Sequence, residues 1–127
     1  MIDHVSIAVS ELHTSAAFYD KVLAPLGLVR LVERSATIGF GKRYPEFWLN
    51  ARPDMAALPE NNGHHICLRA VDKDAVVAFH QAALAHGGID DGKPGDRQAS
   101  MTTYFGAFIR DFDNNKIEAV TFPRDPS

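Results

Sequence analysis

The sequence predicts an α+β domain in which one βαβββ module is written twice. Three observations carry that expectation: an internal repeat, a period-two strand leading into a helix in each copy, and three further strand-like stretches after each helix. The segment HVSIAVSELHTSAAFYDKVLAPLGL, starting at His4, aligns without a gap on HICLRAVDKDAVVAFHQAALAHGGI, starting at His65, at an offset of 61. His4 falls on His65, Ala17 on Ala78, Phe18 on Phe79, Leu23 on Leu84, Ala24 on Ala85 and Gly27 on Gly88. Self-similarity over such a length marks a duplicated supersecondary unit. The chain of 127 residues therefore reads as one domain, 1–127, made of modules at roughly 1–51 and 63–123 joined by the linker RPDMAALPENN.

The first strand places Val5, Ile7 and Val9 on one face and His4, Ser6 and Ala8 on the other. Its copy places Ile66 and Leu68 on the apolar face, with His65, Cys67 and Arg69 opposite, and the same parity puts His64 towards the helix layer. A helix follows from about Leu12 to Ala24, stopped by Pro25 and Gly27, and a second from about Lys73 to His86, with Asp72 as N-cap and Gly87-Gly88 as terminator. Phe18, Phe79, Leu23 and Leu84 occupy core spacings, and Cys67 reads as a small apolar filler. The strand-like stretches LVRLVER, ATIGFG and EFWLN complete the first module, and TYFGAFIRDF and KIEAVTF belong to the second. The remaining strand of the second module, expected near 89–93, is weakly marked; KPGDRQASMTT reads as a long loop, and the PRDPS tail is expected to fray.

Composition excludes several function classes. Apolar residues are 46% and charged residues 23%, ordinary for a folded domain, and the net charge of −3 argues against a sequence-independent nucleic-acid binder. No apolar run approaches the roughly 20 residues of a membrane span, and no positive n-region precedes an apolar core near the start. Cys67 is the sole cysteine, which rules out an intramolecular disulfide and fits a reducing compartment, so a cytoplasmic location is expected. Any metal must then use His and carboxylate ligands.

One constellation meets that requirement. In the final strand Ile117 and Ala119 fit the helix side, which turns Glu118 to the side of His4 and His65; the equivalent position of the first module is Trp48. A glutamate amid apolar strand residues needs a cation or strong donors nearby. Two imidazoles and one carboxylate with open positions form a facial triad suited to divalent Fe, Mn, Ni or Zn, leaving room for substrate oxygens. Trp48 on the same side is a candidate substrate platform, and Arg69, beside His65, a candidate substrate-binding cation. Arg30, Arg34, Lys42, Arg43 and Arg52 make the 30–52 region locally basic, as a solvated face would be.

The patterns HVSIAVSEL…SAAFYDKVLAPLG, GHHICLRAVD and FIRDFDNNKIEAV resemble the vicinal oxygen chelate superfamily, which includes glyoxalase I, bleomycin-resistance proteins and extradiol dioxygenases. The resemblance covers nearly the whole chain. It implies modules paired into an open curved mixed sheet around a cavity, metal ligands at His4, His65 and Glu118, and a homodimer. It also implies a metal-dependent enzyme acting on a small oxygen-bearing substrate by lyase, isomerase or dioxygenase chemistry. A metal-free, drug-sequestering protein of the bleomycin-resistance type is the alternative. Asn114 stands where the family commonly has glycine, and Trp48 where glyoxalase-type members carry a further acid. Glu46, about 6.6 Å along the same strand face, and Tyr104 are the candidates for proton transfer.

Overall fold

The computed structural model describes residues 1–99 and 101–122, so the expectation for the PRDPS tail lies outside the described residues. Each half begins with a strand and a helix. In the first, β1 (Val5–Val9) leads into α1 (Leu12–Leu23), and then β2 (Val29–Glu33), β3 (Thr37–Gly41) and β4 (Pro45–Ala51) follow. In the second, β5 (Ile66–Arg69) leads into α2 (Lys73–Ala85), and then β6 (Ile89–Gln98), β7 (Thr103–Arg110) and β8 (Lys116–Thr121) follow. The strand orders β1-β4-β3-β2 and β5-β8-β7-β6 are identical, each with one parallel pair at the β1 or β5 edge. The α+β reading holds, realised as two four-stranded mixed sheets.

The stop signals act as the sequence indicated. Pro25 sits in a 3-10 turn, Ala24–Leu26, after α1, and Gly27 takes the left-handed φ of 81° that ends it. Asp72 accepts a hydrogen bond from the Ala75 amide at 2.8 Å, and Gly87 adopts φ 93° while the Gly88 amide donates to the Ala83 carbonyl. Asn114, at the glycine-like position, has φ 64°, a conformation that Asn tolerates better than most residues. α1 packs on the first sheet, α2 on the second, and the two helices pack on each other, so the apolar residues of both modules form one core. None of the helices among the described residues is long and apolar enough to cross a membrane.

Four local expectations need correction. Most of KPGDRQASMTT is strand, because β6 continues to Gln98 with its register shifted between Asp90 and Gly92 and again between Gly92 and Gly95. Pro94 is accommodated because β6 is the outer strand of its sheet. Leu84 is 44% exposed whereas its counterpart Leu23 is fully buried; no 3-10 turn follows α2 to cover it. His64 is exposed, since β5 begins at Ile66 and strand parity does not reach back to it. Cys67 is exposed rather than a core filler. By contrast Phe18, Phe79, Phe40 and Phe47 are all buried in the core.

The two modules are fastened by the β7–β8 turn. The Asp111 carboxylate, 1% exposed, accepts from the Tyr19 hydroxyl at 2.7 Å and from the Asn115 side-chain amide, the Asn115 amide and the Asp113 amide at 2.9 Å each. Asp113 in turn accepts from the Ser10 amide, and Asn115 donates to the Ala8 carbonyl, so second-module side chains satisfy the end of β1. Burial raises the Asp111 carboxyl above its usual range despite these donors. The folded state therefore holds the proton more tightly, and Asp111 costs stability as pH rises from its unfolded value through the raised folded one.

Asp111→Ala should orphan four buried donors and lower unfolding free energy by about 3 kcal/mol or more. Urea denaturation with a loss under about 1 kcal/mol would contradict this role.

Candidate functional site

The face of the second sheet turned away from α2 carries the candidate site. Cys67 on β5 pairs in register with Glu118 on β8, and Glu118 with Phe108 on β7. His65, just before β5, places Nε2 3.1 Å from Glu118 Oε1, with its ring edge-on to Phe108 at 5.6 Å between centroids. The imidazole is 44% exposed while the carboxylate is only 5% exposed. Glu118 Oε2 is buried and makes no well-formed hydrogen bond among the described residues, the Cys67 thiol and the Tyr104 hydroxyl approaching the carboxylate without the geometry of one. A buried carboxylate oxygen without a donor is costly, and a cation supplied from outside would satisfy it.

Two more titratable groups crowd this carboxylate. Burial, then the Glu118 charge, pushes the Cys67 thiol up to about 12, so it is protonated and a poor nucleophile at neutral pH. Burial, then Glu118, also raises the Tyr104 hydroxyl, with Arg97 opposing the shift. Tyr104 thus keeps its proton beside Glu118.

His65 and Glu118 come together as the sequence indicated; His4 does not join them. Its Nδ1 lies 2.8 Å from Asp3 Oδ1 and its side chain is half exposed. Among the described residues no three His, Cys, Asp or Glu side chains form a group able to hold a metal ion. His4 and Glu46 instead line a cleft of about 730 Å³ together with His65, Lys42 and Arg69. This cleft runs between the start of β1, the start of β4 and the length of β5.

Trp48 occupies the position of the first module that Glu118 holds in the second, because Ser6 pairs with Trp48 as Cys67 pairs with Glu118. Its indole rests on Gly39, where an added Cβ would come within 3.0 Å of the ring and 2.8 Å of Pro45 Cβ. Glycine is thus required there for space. The Arg34 guanidinium lies 5.6 Å from the indole, and Arg69 lies 5.1 Å from the Phe122 ring. Arg97 is the residue that the sequence reading missed, hidden inside the presumed loop. It stands opposite Tyr104 in the β6–β7 register and 5.4 Å over Phe108. A strand assignment through Pro94 and Gly95 would have been needed to find it.

A family model described as the Glyoxalase/Bleomycin resistance protein/Dioxygenase superfamily matches residues 1–119. A solved glyoxalase/bleomycin resistance protein from Albidiferax ferrireducens is 30% identical, with 93% of this chain and 96% of that chain covered and a TM-score of 0.81. A genomically encoded fosfomycin resistance protein, FosX, from Listeria monocytogenes is 15% identical, with 94% and 91% covered and a TM-score of 0.67. A variant of that Listeria protein, solved with Mn(II) and 1S,2S-dihydroxypropylphosphonic acid, is 16% identical, with 94% and 87% covered and a TM-score of 0.68. None of the curated proteins matches the chain.

With its thiol held near 12, native Cys67 should react with a disulfide reagent at pH 8 roughly 10³-fold more slowly than in the urea-unfolded chain, despite its exposure. Comparable rates in the two states would show that the Glu118 environment does not control the thiol.

Proposed function

The chain belongs to the glyoxalase/bleomycin resistance protein/dioxygenase superfamily, and from that premise we propose that it is a metal-dependent enzyme acting on a small oxygen-bearing molecule at the His65–Glu118 face. The observation that carries this reading is the buried, partnerless Oε2 of Glu118 beside an accessible imidazole. A carboxylate oxygen from β8 and an imidazole nitrogen from the residue before β5 suit a divalent cation, and the third donor in this reading is His4. Within one chain His4 stays apart from the pair, so the reading calls for a homodimer in which His4 of each copy faces the pair of the other. When bound, such a cation supplies Lewis-acid polarisation and a template for two neighbouring substrate oxygens.

The chain's own groups divide the remaining tasks. Glu118 supplies the charge and His65 a directed lone pair, with its ring held at the edge of Phe108. Tyr104 Oη retains its proton and so can donate it to a developing oxyanion, while a Glu46 oxygen on the cleft wall can accept one. Trp48 offers a flat apolar surface fixed by the Gly39 gap, and Arg69 a cation at the cleft. The lone cysteine fits a reducing, cytoplasmic setting.

Protein purified without chelator should contain a divalent metal, and Glu118→Gln should keep its fold and melting temperature within a few degrees while losing most of that metal. Metal-free wild-type protein would instead favour the ligand-sequestering alternative, and full metal retention in Glu118→Gln would reject Glu118 as a ligand. Co-expressed His4→Ala and Glu118→Gln chains should form mixed dimers that keep one intact site in two. Mixed dimers without metal would reject the shared site.

A further inference from the structure

We propose that the small molecule bound at this face carries an oxyanion, a carboxylate or a phosphoryl-type group, and that Arg97 is the residue that docks it. This rests on the reading of the His65–Glu118 face as the substrate site, and it adds the chemistry of the substrate's other end.

The guanidinium is built into place. Its Nη2 donates to the Lys93 carbonyl at 2.7 Å, and its plane is carried over the Phe108 ring. Gly92 makes the room, since a Cβ there would come within 2.9 Å of Phe108 Cδ2 and 3.0 Å of Arg97 Nη2. Stacking on an aromatic ring and anchoring one nitrogen fixes the direction of the remaining N–H groups.

Those remaining groups are unmet. Nε of Arg97 is buried with no hydrogen-bond partner among the described residues, and no described carboxylate pairs with the side chain. Two cations of the same sheet are treated differently: Arg110 and Lys116 each lie 3.1 Å from Asp91 Oδ2. A permanent cation that keeps a buried donor free is suited to an anionic ligand.

Its position links it to the acid–imidazole pair. Phe108 is opposite Glu118 in the β7–β8 register, and its ring centroid lies 5.6 Å from that of His65, 5.4 Å from the Arg97 guanidinium carbon and 4.6 Å from the Lys116 ammonium, which is already paired with Asp91. Tyr104 stands opposite Arg97 in the β6–β7 register. A ligand lying across the Phe108 ring would meet Glu118 and His65 at one end and Arg97 at the other.

Uniformly ¹⁵N-labelled protein, stripped of metal with chelator, dialysed into metal-free and chelator-free buffer and titrated with inorganic phosphate, and separately with acetate, isolates this subsite from any metal. The expected result is saturable movement of the Arg97 Nε–H signal with at least one of the two anions, an affinity weakened about tenfold or more in Arg97→Gln, and no change in Arg43→Gln, whose side chain is exposed in the other module. Preference for phosphate or for acetate then separates a phosphoryl-type from a carboxylate ligand. Equal binding in wild type and Arg97→Gln, equal loss in Arg43→Gln, or absence of saturation with both anions would overturn the proposal. Because metal is removed before the titration, failure of the metal reading leaves this readout unchanged, and failure here leaves the metal content unchanged.

Discussion

The carboxylate of Asp111 is the point on which the two modules turn. It lies in a tight turn between the last two strands of the second module, yet its strongest partner is the hydroxyl of Tyr19, on the helix of the first. Burial of a carboxylate is unfavourable, and the raised Asp111 pKa shows that its donors do not cancel the whole cost. What the arrangement secures is geometry. Asp113 and Asn115 are oriented by the same carboxylate and reach back to Ser10 and Ala8, while Asn114 bonds the linker carbonyl of Leu58. Strand β1, an edge strand, is thus tied at its end to the other half of the molecule.

That fastening also sets β8. Lys116 begins the strand immediately after the turn, and from Ile117 to Thr121 every residue is buried. Glu118 is therefore a charge in a central strand whose position is determined from both sides, by β5 and by β7. Such a site is rigid without help from a loop, and its one unsatisfied oxygen has little freedom to find another partner.

The duplication is conserved in architecture and broken in chemistry at a matched pair of positions. Trp48 is paired with Gly39, and Glu118 with Phe108. In the first module the large ring is on the inner strand of the pair and its neighbour has no side chain; in the second the ring is on β7 and the inner strand carries the acid. Each face holds one large aromatic group per pair, as steric exclusion requires, and the exchange decides which module presents charge and which presents a flat apolar surface. A guanidinium accompanies the ring in both, Arg34 on Trp48 and Arg97 on Phe108.

The sequence by itself determined the repeat, the two helices with their stop signals and the Asp72 cap, and the parity that brings Glu118 to the side of His65. Each of these depends on neighbours along the chain: period-two alternation, a left-handed residue, a cap three residues from its donor. Only the tertiary structure decided the rest. β6 extends through Pro94 and Gly95 because pairing with β7 outweighs weak local propensity on an outer strand, and with it comes Arg97. Leu84 and Leu23 differ in burial although the repeat equates them, because what covers a helix is not written in the helix. His4 and His65 share a repeat position, yet His65 meets Glu118 of its own module while His4, whose module has Trp48 there, bonds Asp3, and the packing of the common core keeps His4 apart from the pair of the second module.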